Sequence, residues 1–231
     1  MQLISSIYKF VLQPEKTIKF SNKITFKVIS KEFWRFVVFD ILSIIVWAVF
    51  VTIFYILFDD FKILFDSKVN SNNSLGWKLI FFACIAPIIE EVSFRLALNP
   101  SKFNLSISLA VQTVLYLHLL YLIDVNFYIR LLIMLVLGLF LNIYMPQKIE
   151  NFINKNLRLF IYYNIIFFGL IHTSNFDFTS VSQIYFIPFL ILIQLLLGIY
   201  FSYIRLKYNF LIVLGLHIFH NFIFISLGAI I

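Results

Sequence analysis

The sequence predicts an all-α fold, a polytopic transmembrane helix bundle of about seven spans with a cytoplasmic N-terminus. Hydrophobic residues make up 62% of the 231 residues, charged residues make up 13%, and the mean hydropathy is +0.98. Soluble domains contain about twice that charged fraction. The apolar residues also fall into stretches near the roughly 20 residues that a helix needs to cross a bilayer. Together these observations exclude a soluble globular domain.

The first 35 residues are predicted to be a basic amphipathic N-terminal segment that lies on an anionic leaflet. Apolar side chains alternate there with Lys9, Lys16, Lys19, Lys23, Lys27 and Lys31. A basic leader without regular structure is the alternative, and the sequence does not separate the two. A cleavable signal peptide is not expected, because Pro14 and the lysines interrupt the apolar residues.

Residues 36–231 are predicted to form one transmembrane domain. Its seven apolar stretches cover residues 36–58, 77–98, 105–123, 127–144, 159–173, 183–203 and 210–231. Asn99 and Pro100 end the second stretch, because proline cannot continue a helix. Polar loops separate the other stretches, so each stretch is expected to be a helix of its own.

The loops between these stretches alternate in charge. One set of loops carries the basic residues Lys102, Lys148, Lys155, Arg158, Arg205 and Lys207. The other set carries the acids of residues 59–66, Asp124 and Asp177. Because lysine and arginine concentrate in cytoplasmic loops, this alternation predicts seven spans with the N-terminus in the cytoplasm. We expect an integral, multi-pass membrane protein, and the short Lys-, Ile-, Phe- and Asn-rich chain favours a bacterial cell membrane.

Two adjacent acids and an arginine lie inside the second stretch, in the sequence IAPIIEEVSFRLAL. A charge at bilayer depth is expensive unless it has a partner, a water-filled cavity or a function. Glu91 and Arg95 are four residues apart and share a helix face, so they are expected to pair. Glu90 points about 100° away and has no cation within helical reach. Glu90 is thus predicted to be unpaired and able to take part in catalysis. The alternative is that both acids belong to a cluster of ion pairs that only holds this helix to a neighbour.

Three further polar residues lie deep in later stretches. His217 and Asn221 are four residues apart and face one direction, and Phe168 gives His172 an aromatic neighbour at the same spacing. Together with Glu90 they supply a base, an orienting group and hydrogen-bond donors for an oxyanion.

The remaining polar residues of the spans have simpler interpretations. Interhelical hydrogen bonds are expected for His118, His220, Gln112 and Gln194. Asp40, Lys78 and Arg130 lie close enough to span ends to reach the membrane interface.

Competing chemistries have no support in the sequence. It contains no HExxH helix, no Walker loop, no GxSxG elbow and no dinucleotide fingerprint. The single Cys84 excludes an internal disulfide framework. Nucleic acid is not an expected partner, because the net charge of +7 forms no cluster on a recognisable module.

The polar residues of the spans resemble those of the CAAX prenyl protease and bacteriocin-processing (CPBP, or Abi) family of intramembrane proteases. The family's Glu-Glu-x-x-x-Arg motif matches Glu90, Glu91 and Arg95, with the aromatic Phe94 before the arginine. Its Phe-x-x-x-His motif matches Phe168 and His172, and its His-x-x-x-Asn motif matches His217 and Asn221. The resemblance covers a protease-like core at about residues 77–225. Leu96 departs from the pattern, since many members carry glycine there.

This resemblance implies an intramembrane endopeptidase that hydrolyses a peptide bond of a membrane-associated or lipidated protein or peptide. Glu90 and His172 would activate the water, Glu91 would pair with Arg95, and His217 with Asn221 would stabilise the oxyanion. Phe94 and Phe168 would shape the site or bind substrate. The alternatives are a non-catalytic immunity or scaffold protein of the same family and a proton-coupled transporter, although the chain shows no inverted repeat.

No cofactor is favoured by the sequence. Zinc is the alternative, with Glu90, His172 and His217 as its ligands. Arg95 places a positive charge beside the acid pair, and the ligands would come from three separate helices with no His-x-x-x-His pair to start binding. A metal-free mechanism is therefore expected.

Overall fold

The computed structural model describes residues 2–14, 25–66, 74–119 and 125–226. These residues form helices and their connections, and no β-strand occurs among them. The predicted all-α fold is therefore confirmed for the described chain.

The α-helices of these ranges are numbered in chain order. They are α1 Gln2–Leu12, α2 Phe26–Leu57, α3 Asp59–Asp66, α4 Leu75–Lys78, α5 Ala86–Phe94, α6 Lys102–Leu119, α7 Phe127–Tyr144, α8 Gln147–Lys155, α9 Leu157–Leu170, α10 Ile187–Leu190, α11 Leu192–Lys207 and α12 Phe210–Ser226. A π-helix spans Leu79–Ile85, and 3₁₀-helices span Leu96–Leu98, Ile171–Asn175 and Val181–Phe186.

Three of these helical segments are long and apolar enough to cross a membrane: Phe26–Leu57, Phe127–Tyr144 and Leu157–Asn175. A fourth results if Val181–Leu190 and Leu192–Lys207, which meet at a bend of 41°, count as one span. The described chain thus has three or four helices suited to a membrane, and the predicted count of seven remains a prediction.

Several helices differ from the predicted stretches in their bounds. Helix α2 begins ten residues before position 36, so its first turns belong to the segment predicted to lie on the membrane. The basic loop after α7 contains the amphipathic helix α8. The second apolar stretch is not one continuous α-helix, because the π-helix Leu79–Ile85 comes between α4 and α5.

Helix α11 forms the centre of the bundle. Eleven of its 16 residues are buried. Its Tyr200 and Phe201 join one apolar core with Phe36 of α2, Phe94 of α5 and Phe168 of α9. Helix α7 is the opposite case, because most of its apolar residues point outward, as expected for a helix that faces lipid.

Helix α1 packs on the bundle as well. Phe10 is buried against Tyr203 of α11, and the Tyr162 hydroxyl of α9 donates a hydrogen bond to the Val11 carbonyl. Ile4 and Tyr8 lie on the opposite, exposed face. Lys16, Lys19 and Lys23 of the predicted basic segment lie outside the described residues.

Candidate functional site

The two acids owe their position to an irregular helix start. In the π-helix the Ala86 N–H donates to the Phe81 carbonyl, five residues back. The next donor in that register would be residue 87, but Pro87 has no N–H. The Phe82 carbonyl that it leaves free accepts a hydrogen bond of 2.8 Å from Asn221 Nδ2 of α12. The Asn221 side chain therefore replaces a backbone bond and fixes α12 against the start of α5.

Glu91 lies at the centre of a buried charge cluster. Its Oε1 is 3.4 Å from Arg95 Nη1 and 2.8 Å from His217 Nδ1. All three side chains are almost completely excluded from the surface. The predicted Glu91–Arg95 contact is present, and His217 is added to it from α12.

Aromatic rings enclose Arg95. The guanidinium carbon lies 3.8 Å from the Phe168 ring centroid, with Phe201 and Phe94 at 5.6 and 6.0 Å. None of its three nitrogens has a hydrogen-bond partner among the described residues. The Glu91 carboxylate and the ring faces together compensate for the loss of hydration, because a cation over an aromatic face is attracted by the ring quadrupole.

Glu90 faces two imidazoles. Its Oε2 is 3.5 Å from His217 Nε2 and 4.0 Å from His172 Nε2. The side chains of Glu90 and His172 remain 16% and 18% exposed, whereas Glu91 is fully buried. The structure thus separates the two acids. Glu91 is held in an ion pair, whereas Glu90 is partly exposed and its Oε2 is buried without a hydrogen-bond partner among the described residues.

The other ring nitrogens determine how these imidazoles can act. His172 Nδ1 lies 2.8 Å from the Phe168 carbonyl, which can only accept, so Nδ1 carries the proton. His217 Nδ1 bonds the Glu91 carboxylate in the same way. In the neutral rings both Nε2 atoms are therefore acceptors. Together with Glu90 Oε2 they form a set of three acceptors around a space that suits a water or a cation.

The structure brings together Glu90, Glu91, Arg95, His172 and His217, which lie on three separate segments. Phe94 and Phe168, the predicted site-shaping residues, pack edge to face at 5.8 Å between their ring centroids. Asn221 contacts the π-helix rather than the acceptor set.

A cavity of about 430 Å³ adjoins this site. Glu90 forms part of its wall. The remaining wall consists of Trp77, Phe81, Ala86, Ile89, Val114, Leu115, His118, Phe127, Arg130, Leu131, Met134 and Ile171. Its size falls within the range of ligand pockets, and its largely apolar lining with a few polar groups is typical of them. The sequence analysis did not predict that His118 and Arg130 line one cavity, because periodicity within one helix does not show which neighbouring helix a residue faces.

A second acid–imidazole pair lies on the other side of α12. His220 Nδ1 is 2.9 Å from Asp40 Oδ2 of α2. The interhelical hydrogen bond predicted for His220 is confirmed. That Asp40 reaches the membrane interface stays a prediction. The structure places Asp40 more than three turns inside α2, where it is buried and paired with His220.

A polar network supports the far end of α5. Gln112 of α6 donates to the Ser93 carbonyl at 2.6 Å and to Asn164 Oδ1 at 3.2 Å, and Ser108 also donates to the Ser93 carbonyl. Residue 97, the normal helical donor to that carbonyl, belongs to a 3₁₀-helix. The interhelical hydrogen bond predicted for Gln112 is confirmed. For Gln194, Oε1 has no partner among the described residues.

A zinc ion would have to use the three acceptors. Zinc–ligand bonds of about 2.0–2.1 Å place tetrahedral ligand atoms about 3.3 Å apart. The distances of 3.5 and 4.0 Å from Glu90 Oε2 to the two Nε2 atoms are somewhat longer. The Nδ1 hydrogen bonds of both rings match those of metal-bound histidines. Two separations of the donor set thus come near those of a zinc site, and no metal-binding group is preformed within the described ranges.

Comparisons with protein-family models, with curated proteins and with solved structures find no match to this chain. The family resemblance therefore rests on the three motifs alone.

Proposed function

We propose that the protein is an intramembrane endopeptidase. The observation that carries this proposal is the convergence of Glu90 Oε2 with His172 Nε2 and His217 Nε2 beside an apolar cavity. An ion pair that only holds helices together requires one acid for Arg95, and Glu91 supplies that acid. The partly exposed second acid with two oriented imidazoles is the arrangement that general base catalysis requires.

In the proposed reaction a water bound among the three acceptors donates one hydrogen to Glu90 and one to His172 Nε2. Glu90 takes the proton while the water oxygen adds to the peptide carbonyl carbon, which gives a tetrahedral oxyanion. The C–N bond then breaks, and Glu90 returns the proton to the departing amine. The immediate products are a carboxylic acid and an amine, which exchange a proton to become a carboxylate and an ammonium, and the enzyme is restored.

His217 and Asn221 stabilise the oxyanion in this proposal. For His217 to donate from Nε2 that nitrogen must carry a proton, and the bond between Nδ1 and Glu91 fixes the orientation of the ring. An asparagine amide has two hydrogens. One of those of Asn221 is engaged with Phe82, so the other can donate to an oxyanion.

Replacement of each acid tests this division of roles. Glu90→Gln keeps the shape but removes the proton acceptor, so cleavage products should fall at least 100-fold while protein abundance is unchanged. Glu91→Gln leaves Arg95 buried without a counter-charge and should cost about 3–5 kcal/mol of stability and reduce abundance. The readout is the membrane peptidome beside a blot of the protein. Glu150→Gln, at a partly exposed acid of α8 away from the site, is the control.

The alternative is a non-catalytic immunity or scaffold protein that keeps the same cluster. It predicts that Glu90→Gln leaves the peptidome unchanged and that function follows abundance alone. Identical abundance defects in the Glu90 and Glu91 variants would also favour it.

We propose that catalysis needs no metal. If zinc is present, Glu90, His172 and His217 would hold it, and it would supply a Lewis acid that activates water. The expected result is that the purified protein still cleaves its substrate after exhaustive chelation. It should contain much less than about one zinc ion per protein molecule. Stoichiometric zinc, with activity lost on stripping and restored by zinc alone, would assign the three residues as ligands.

The proposed topology has seven spans, with the N-terminus on the cytoplasmic side of a bacterial cell membrane. The alternating loop charges and the order of the apolar stretches support it. The substrate would be a membrane-associated or lipidated protein or peptide, since the cavity wall is largely apolar.

A further inference from the structure

The cavity connects Glu90 with one end of the bundle. Trp77 lies in α4, His118 lies in the last turn of α6, and Phe127 and Arg130 lie in the first turn of α7. These helix ends adjoin the connections at residues 67–73 and 120–124. A ligand that fills the cavity therefore reaches from the catalytic acid to this end of the membrane domain.

The lining shows what kind of ligand fits. Ile89, Val114, Leu115, Leu131 and Met134 form much of the wall, so the ligand must be apolar over most of its length. Among the described residues that line the cavity, Arg130 is the only arginine or lysine. A ligand with one anionic group near its end would satisfy both parts of this surface.

Two observations show that Arg130 is available to such a group. Its Nε is buried and has no hydrogen-bond partner among the described residues. It also lies in the first turn of α7, where the helix dipole adds to its positive potential. An arginine fork binds a carboxylate through two parallel hydrogen bonds. Asp124 lies outside the described residues, so its influence on Arg130 is part of the test.

We propose that Arg130 anchors a carboxylate of an apolar peptide substrate, and that the cavity holds the residues between this anchor and the bond at Glu90. This inference rests on the proposed function and adds the substrate class. The carboxylate comes from either the C-terminus of the peptide or an acidic side chain. Both present the same group to Arg130, and the experiment separates them.

The test measures binding separately from cleavage. Glu90→Gln protein in phosphatidylcholine nanodiscs is titrated with an acetylated, fluorescent pentapeptide of Leu, Ile and Phe. Three forms are compared: the free carboxylate, the C-terminal amide, and the amide with one Asp at the last position. The carboxylate form should bind at least about tenfold more tightly than the plain amide, because the contact is a charge-assisted hydrogen bond. Tight binding of the Asp form as well would assign side-chain carboxylates to the site.

The variants connect this difference to the cavity. Arg130→Gln should remove the preference for carboxylate, and Arg158→Gln should leave it intact, because Arg158 is exposed and bonds Tyr162. Asp124→Asn tests whether the neighbouring acid weakens the anchor. If Arg130→Gln fails to fold, Leu115→Trp keeps the charge and fills the cavity, and it should weaken binding of all three peptides.

Several outcomes overturn the anchor. Equal binding of the three peptides, or no binding of any, rejects it. Loss of binding when phosphatidylglycerol is added would show that a lipid headgroup occupies Arg130, which also rejects it. Wild-type protein separates the two proposals. Binding through Arg130 without cleavage refutes the protease and keeps the anchor, whereas cleavage independent of Arg130 refutes the anchor and keeps the protease.

Discussion

The Asn221 amide and the Pro87 ring form a matched pair of residues. Proline at position 87 removes a backbone donor, and the asparagine of α12 supplies a donor to the free Phe82 carbonyl. An unsatisfied carbonyl in lipid costs several kcal/mol, since no water can replace the partner. The third motif therefore has a structural role that is separate from any role in catalysis.

A double-mutant cycle measures this coupling. Asn221→Ala should cost about 1–3 kcal/mol of stability. In the Pro87→Ala background residue 87 again has an N–H, so the same change should cost less, with a coupling energy of about 0.5–3 kcal/mol. Thermal unfolding in detergent is the measurement. Asn156→Ala is the control, since Asn156 bonds the Phe152 carbonyl in an exposed turn. Strictly additive costs would show that Pro87 and Asn221 act independently.

Local spacing predicted part of the site. The Glu91–Arg95 contact follows from a four-residue separation, which any helix enforces. The approach of His217 to both acids, and the Asp40–His220 pair, join positions more than 100 residues apart. No periodicity within one helix contains that information. The motif resemblance named His217 and gave no signal for Asp40.

At the scale of the elements, Gly198 of α11 lies against α9. A Cβ at this position would lie 3.2 Å from Phe168 Cδ1 and 3.4 Å from Ile165 Cγ2. Phe168 is the residue whose ring covers Arg95 and whose carbonyl orients His172. The glycine thus allows the two helices to hold Arg95 and His172 of the proposed active site at their observed positions.

Gly198→Ala should therefore disturb both packing and activity. Displacement of the Phe168 ring by a few tenths of an ångström should cost about 1–3 kcal/mol and reduce cleavage by about tenfold. Gly215→Ala is the matched control, because nothing lies within 4 Å of its Cβ. That substitution lies inside α12 and should be neutral or stabilising by up to about 1 kcal/mol. Unfolding temperature and cleavage rate are measured for both, and equal effects would reject the packing role of Gly198.

The second apolar stretch shows the limit of prediction at this scale. Its hydropathy predicted a helical segment in this part of the chain, and the structure is helical from Leu75 to Phe94. The π-helix at Leu79–Ile85 was not predicted, since it depends on a hydrogen bond from a helix more than 100 residues later. Pro87 marked the place where a helix could be irregular, but its partner had to come from the tertiary structure.

At the scale of the whole molecule, the loop charges predict which side of the membrane each end of the bundle faces. A membrane-impermeant maleimide, added from outside to intact cells, should label a cysteine at position 177 and miss one at position 155. Both positions are exposed, and the background is Cys84→Ser because the native thiol is also exposed. The opposite pattern would reverse the topology. Labelling of both positions would reject the predicted number of spans.

The separation between Glu91 and His217 also has a consequence in time. The two residues are 126 positions apart, and a ribosome adding about 5–20 residues per second needs roughly 6–25 seconds to cover that distance. During this interval the segment with Glu90, Glu91 and Arg95 has already been synthesised, while His217 does not yet exist. Arg95 can neutralise Glu91 within one turn of the same segment from the beginning. The newborn chain is therefore expected to hold Glu91 in its ion pair before α12 exists, and the proposed hydrolysis could begin only after α12 has been made.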